Sequence, residues 1–225
     1  MNSQKRKILV VSEIFWPEGG GAELATYLIL KLLRDAGFEI TVLTSTENPS
    51  PIKGVKFYHT DLLKPRNRIE RFLYTSILAQ RPWFKKLLKQ HDTLYIPQMA
   101  YPLIPTAKRE GLKVVVHLHN YAPVRYHGVK YYFEPDNPST WDEVKTGIFH
   151  EYHVHKSLLR TTAMPISYLA YRLSRHTLEQ ADTIICVSKR QAEIVRQKIR
   201  HVKVEVVYNP PPPMPPIEKK PSETP

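Results

Sequence analysis

The stretch "KILVVSEIFWPEGGGAELATYLILKLLRDAGFEITVLTS", residues 7 to 45, constrains the fold more than any other part of the chain. "KILVVS" is a β-branched apolar run too short for a helix, and it lacks the polar alternation of a half-exposed strand, so it predicts a strand buried on both faces in a parallel sheet. From Ala22 the residues Leu24, Leu28, Leu32 and Leu33 recur at helical spacing, and Gly37 supplies a stop. "EITVLTS" (39 to 45) is a second strand. Strand, glycine-rich turn, helix and strand make a βαβ unit, whose crossover is right-handed in nearly all proteins.

The same alternation continues down the chain. Strands are expected at 55 to 59, 93 to 97, 113 to 119, 183 to 188 and 203 to 209, with helical patterns at 68 to 80, 83 to 90, 101 to 110, 151 to 180 and 189 to 200. Ser188 stands as a helix cap with Gln191 at the capping-box distance. Together these predict an α/β fold: a doubly wound, mainly parallel Rossmann-like sheet with helices on both faces. Residues 1 to 210 form that domain. The proline-rich segment 211 to 225 cannot join a sheet and is expected to be an extended linker toward a second, absent domain.

Three of the chain's eight glycines, Gly19, Gly20 and Gly21, stand together in the first strand-to-helix turn. Two readings fit. Glycine makes a tight turn easy, and bare main chain at a helix start also lets an anionic ligand approach the N–H groups. The spacing is wrong for a dinucleotide fingerprint, with Leu24 where a small residue is needed, and no Gly-Lys-Ser/Thr follows to make a P-loop.

Charge and cysteine content narrow the partners. A formal charge of +12 over 225 residues calls for an anionic partner without choosing among nucleic acid, membrane surface or phosphorylated ligand. The single cysteine, Cys186, rules out an intrachain disulfide and fits a reducing, cytoplasmic setting. "MNSQKRK" leads into an apolar run too short for a signal peptide, and no stretch approaches a membrane span. Between Lys64 and Lys89 the cations Lys64, Arg66, Arg68, Arg71, Arg81, Lys85, Lys86 and Lys89 face one acid, Glu70, on two amphipathic helical patterns. This suits docking on an anionic membrane, at its inner face, or gripping a lipid-phosphate acceptor, and equally an ordinary surface helix pair solvated outside and packed inside. Histidines are numerous (His117, His119, His150, His153 and His155), yet "HEYHVH" is not His-Glu-x-x-His and no carboxylate or cysteine spacing completes a set, so no metal is expected.

Four segments in order carry a family likeness. The opening through "GGGAELATYLILKLLRDAGFEITVLTS", then "VVVHLHNYAP" (114 to 123), "ADTIICVSKRQAEIV" (181 to 195) and "VEVVYNPPP" (204 to 212) resemble the group 1 glycosyltransferases, family 4. The resemblance implies a GT-B enzyme of two Rossmann-like domains facing across a cleft, of which this chain matches the N-terminal, acceptor-side half. A retaining transfer of sugar from a nucleotide sugar to an acceptor hydroxyl, on a glycan or a lipid, is what it implies, with no cofactor beyond that co-substrate and with catalysis incomplete in this chain alone. Gly20, Gly21 and Glu23 match the family's Gly-Gly-x-Glu turn beside the donor diphosphate, with Gly19 in the same turn. His119 matches the family's cleft histidine near the reacting carbon, and Asn120 stands where an aspartate is common. Ser188 and Asn209 match donor-proximal positions, although a helix cap and a strand-end turn explain them equally. His117 and His119 also read as ordinary strand residues sharing a face.

The connection 120 to 150 is long and aromatic, which marks either a functional flap or a disordered one. Leaving the strand that ends in His119, it brings Tyr121, Arg125 and Trp141 forward as acceptor-side residues, aromatic rings for a sugar or headgroup and a guanidinium for a phosphate. Two other classes remain: a basic nucleic-acid-binding α/β protein, which would show a salt-sensitive affinity for DNA or RNA, and a transferase-like interaction module without activity. Nucleic acid is not the expected partner.

Overall fold

Seven parallel strands form one sheet in the order β3-β2-β1-β4-β5-β6-β7 in the computed structural model, which describes residues 6 to 212 except 65, 136, 137 and 155. The strands are β1 (Lys7–Ser12), β2 (Glu39–Thr44), β3 (Lys56–His59), β4 (Thr93–Ile96), β5 (Lys113–Leu118), β6 (Thr183–Cys186) and β7 (Lys203–Val206). The helices are α1 (Gly21–Asp35), α2 (Arg68–Gln80), α3 (Pro82–Leu88), α4 (Ile104–Arg109), α5 (Thr140–His153), α6 (Leu158–Thr162), α7 (Met164–Leu178) and α8 (Lys189–Lys198). Strand order reverses between β1 and β4, and in open sheets of this kind the crevice at that reversal, at the carboxyl ends of the strands, is where ligands bind.

Alternation within β1 builds two cores. Leu9 and Val11 enter one with residues of α2, α3, α4, α7 and α8. Ile8 and Val10 enter the other with Leu30 of α1, Ile40 and Val42. Helices therefore cover both faces, α1 over β1 and β2 on one side and the remaining layer on the other. Cys186 is buried in β6, as a small core residue.

Three details differ from the sequence reading. The buried stripe of α1 is Glu23, Ala25, Thr26 and Leu30, while Leu32 is exposed. The small residues Ala25 and Thr26 let the helix approach the sheet, which turns the leucine row partly outward. Second, the connection after β5 is shorter than expected, because α5 already starts at Thr140: Ser139 accepts from the Asp142 N–H, and Asp142 accepts from the Ser139 N–H. Third, the pattern from 151 to 180 is not one helix. It breaks after α5, restarts at α6 under the Ser157 cap, and α7 begins with Pro165 in its first turn, where a missing N–H costs nothing. The segment from 213 to 225, most of the expected linker, lies outside the described residues, as does His155.

Candidate active site

The bay at the carboxyl edge is built from the residues immediately beyond the strands. Glu13 follows β1, Gln98 and Met99 follow β4, and His119 and Asn120 follow β5. With Glu23 of α1 and Arg71 of α2 they line a cavity of about 200 Å³. Ala22 and Glu23, directly after the three glycines, thus meet His119 in one place.

A hydrogen-bond network fixes the turn. Ile14 N–H donates to Gln98 Oε1 at 3.2 Å, Gln98 Nε2 donates to Glu23 Oε1 at 2.6 Å, and Gly20 N–H donates to Glu23 Oε2 at 2.7 Å. Glu23 therefore consumes one N–H at the start of α1 and leaves the rest of the first turn, whose donors have no intrahelical acceptor, facing outward. The three glycines are not equivalent. Gly19 has φ +87°, and a Cβ there would lie 2.6 Å from the Glu23 carboxylate, so both backbone and space demand glycine. Around Gly21 nothing lies within 4 Å of a built Cβ among the described residues, and at Gly20 the nearest atom is 4.0 Å away. Folding of this chain does not require those two glycines.

The imidazoles of His117 and His119 lie 4.3 Å apart, tilted by 32°. His117 is buried, and its Nδ1 shares a 2.7 Å hydrogen bond with the Tyr95 hydroxyl. Among the described residues its Nε2 and both ring nitrogens of His119 are shielded from solvent and have no hydrogen-bond partner. Burial, helped by the adjacent His119, pushes His117 down to about 3, and burial also lowers His119 against the opposing pull of Glu23. Both rings are neutral at pH 7, each able to give one hydrogen bond and take one.

Glu13 is buried, its carboxylate 3.0 Å from Arg71 Nε, and its main-chain oxygen accepts from Ser45 N–H and Oγ. Burial raises its pKa, and Arg71 only partly offsets this. The proton bookkeeping has two signs. The folded histidines refuse protons that the unfolded chain takes, so their contribution is complete above the ordinary value of 6.5 and is lost as pH falls toward 3. Glu13 works the other way, since a raised folded value favours the folded state as pH drops. With its folded value near 3, His117 by itself makes the chain about 2 kcal/mol less stable at pH 5 than at pH 7, a contribution read from the pH dependence of urea unfolding. His117→Gln should flatten most of that dependence; an unchanged slope would refute the assignment.

Elsewhere the structure separates residues that the sequence groups together. Arg125 is buried in its own loop, donating to the Val124 and Pro135 carbonyls with Glu134 3.9 Å away, so it does not face an acceptor as expected. Trp141 is exposed on α5 beneath Lys145, away from the bay. Tyr121 packs partly against the core. Asn120 is exposed at the bay, with its Oδ1 accepting from Ala122 N–H and its carbonyl from Gln191 Nε2. Ser188 caps α8 by accepting from Gln191 N–H, and it stands with exposed Asn209 at the same sheet edge but beyond β5, outside the bay walls.

The cationic run is not one surface. α2 spans 13 residues, about 20 Å at 1.5 Å per residue, and separates its ends. Arg66 lies over Tyr74, Arg68 over Tyr126 and Tyr171, and Arg71 turns to Glu13, all near the carboxyl edge. Arg81, Lys85, Lys86 and Lys89 stand at the other end, where Lys89 borders a polar cavity of about 510 Å³ among the strand starts. No helix among the described residues is long and apolar enough to cross a membrane. Sequence reading missed Glu13, Gln98, Met99 and Tyr101 as bay residues, and it placed Arg71 on the surface. For Glu13 and Gln98 the signal was position, one and two places past a strand end.

Among solved structures the chain is similar to sucrose-phosphate synthase from Thermosynechococcus elongatus, with 10% identity, a TM-score of 0.58 and coverage of 91% of this chain and 48% of that one. It is similar to UGT71G1 of Medicago truncatula complexed with UDP-glucose (10% identity, TM-score 0.54, coverage 89% and 50%). It is also similar to UGT2 of Phytolacca americana complexed with UDP-2fluoro-glucose and pterostilbene (11%, 0.52, 89% and 53%). At such identities the likeness is one of fold, and the chain spans about half the length of these structures. No curated protein matches the chain. The family model for Glycosyltransferase Family 4 matches residues 19 to 211, across the glycine turn, the His119 strand end and the exit strand alike, and the chain belongs to that family.

Proposed function

We propose that this chain is the acceptor-side half of a retaining glycosyltransferase that works with a facing nucleotide-sugar domain. In that reaction the bond from the anomeric carbon to the diphosphate oxygen breaks and a bond to the acceptor oxygen forms. The acceptor proton leaves with the nucleoside diphosphate.

The observation that carries this reading is the pair of neighbouring imidazoles, His117 buried and His119 partly so, that line the same bay of about 200 Å³ as Ala22 and Glu23 directly after the glycine turn, with ring nitrogens that have no hydrogen-bond partner among the described residues. A buried polar atom without a partner costs about 1 to 3 kcal/mol, and a sugar hydroxyl at His119 would remove that cost. The uncapped N–H groups of α1 and the unobstructed space at Gly20 and Gly21 suit a diphosphate, whose growing negative charge they would stabilise as the bond breaks. Glu23 holds the turn in shape. His117, oriented by Tyr95, acts as a positioning residue behind His119. Asn120 and Tyr121 open the acceptor side, and Ser188 and Asn209 border the donor side.

The test is a transfer assay with the full-length protein, or this chain mixed with a complementary C-terminal half, against a panel of nucleotide sugars. UDP-glucose is the first probe because similar folds are complexed with UDP-sugars. Donor-dependent loss of the nucleotide sugar, abolished in His119→Ala, supports the reading. No transfer with any donor would favour an inactive interaction module instead.

A further inference from the structure

The bay continues into two more cavities. Met99 and Tyr101 line both the bay and its neighbour, Arg68 lines that neighbour and a third cavity of about 560 Å³, and Arg71 lines all three. The result is a groove running from His119 along α2 to the α5–α7 layer. Its charge changes along the way. Near His119 the acids Glu13 and Glu23 stand with Arg71, whereas beyond Arg71 the walls carry Arg68, Arg160 and Arg175 against Glu151.

Arg68 is the unusual member. Its guanidinium donates to the Tyr126 carbonyl and lies over the rings of Tyr126 and Tyr171, at 4.6 and 5.5 Å, and burial is the main influence on it. Among the described residues no carboxylate lies within 4 Å of it. Arg68 is half-buried; a guanidinium keeps its charge in any protein setting, and the part taken out of water is stable only when compensated. Two tyrosine faces and one carbonyl compensate in part. Arg160, at the outer end, is half exposed and only 4.0 Å from Glu151. Around this basic end the surface is apolar: Leu158, Leu159 and Ile166 are exposed by 71%, 79% and 61%.

We propose that this groove holds the acceptor and that the acceptor is an anionic amphiphile, its phosphate or carboxylate group against Arg68 and Arg160 and its apolar chain over the Leu158–Leu159 surface. The hydroxyl to be glycosylated then reaches back to His119. Substrate class is set by the cation–apolar pairing, and this deepens the transferase reading on which it rests.

The test measures binding to the full chain of decyl phosphate below its micelle concentration, inorganic phosphate, and a neutral decyl glycoside. Decyl phosphate should bind at least about tenfold more tightly than either, the difference one charge-assisted hydrogen bond makes. Arg160→Gln, an exposed site that folding tolerates, should weaken it several-fold, and Arg68→Gln by about tenfold or more, while Lys86→Gln at the far end of the α2–α3 pair leaves it unchanged. Equal binding of the neutral glycoside removes the anionic requirement, and equal binding of inorganic phosphate removes the apolar one; either overturns the proposal, as does unchanged affinity in both arginine variants. In the transfer assay, full activity of Arg68→Gln on anionic acceptors would sink the acceptor class and leave the transferase intact. Absent transfer with tight decyl phosphate binding would sink the transferase reading and keep the groove.

Discussion

Replacing His119 by alanine is expected to lower sugar transfer by about a hundredfold to a thousandfold, the range found when one preorganised donor to a reacting centre is removed, and to leave the melting temperature nearly unchanged. The two halves of that expectation come from one fact. Both ring nitrogens are buried without partners, so the side chain contributes no hydrogen bond to the folded state. Its removal forfeits packing that includes the 4.3 Å ring contact with His117 and relieves a desolvated polar group. His119→Gln, which keeps an N–H donor, should recover part of the lost activity. A large drop in melting temperature together with the loss of transfer would mean that the ring is structural, and full transfer in the alanine variant would remove His119 from the chemistry altogether.

Gly19→Ala and Gly21→Val are expected to fail in opposite ways. At Gly19 the left-handed backbone and the overlap with the Glu23 carboxylate act together. Strain of about 1 to 3 kcal/mol is typical of such a position, which for a domain of this size lowers the melting temperature by roughly 2 to 10 °C. The Glu23 contacts to Gly20 and Gln98 must also shift, so activity falls with stability. At Gly21 a side chain meets nothing, and the first helical turn favours almost any residue over glycine. Stability should hold or rise, while transfer falls at least about tenfold, because the valine side chain occupies the space a diphosphate needs beside the α1 N–H groups. A Gly21→Val protein with full transfer would reduce the turn to a turn.

Much of this was legible in the amino-acid order because it depends on local physics. The central strands are short apolar runs rich in β-branched residues and largely buried, the edge strands β3 and β7 are more exposed, and each of the seven begins within a residue of where its run predicts. Helices α2 and α8 follow their apolar spacing and caps, Asn67 and Ser188. The break between α5 and α7 was harder to see, since Ser139, Ser157 and Pro165 are short-range signals inside a continuous apolar pattern. The site was half legible. His119 and Glu23 carry a family motif, whereas Glu13, Gln98 and Tyr101 carry none, and Arg71 looks like any cation on an amphipathic helix until its rotation about that helix is known.

By itself the sequence determined the parallel α/β class, the glycine turn at the head of the first helix and the strand that delivers His119, because periodicity and backbone preference act within a few residues of each position. Only the tertiary structure decided that Arg71 turns inward to Glu13, that Arg125 is enclosed by its own loop, and that Arg68 stands in its groove with no carboxylate within 4 Å among the described residues. Those outcomes depend on which residues from distant segments share a space, and burial, counter-ion and hydrogen-bond partner are properties of that space.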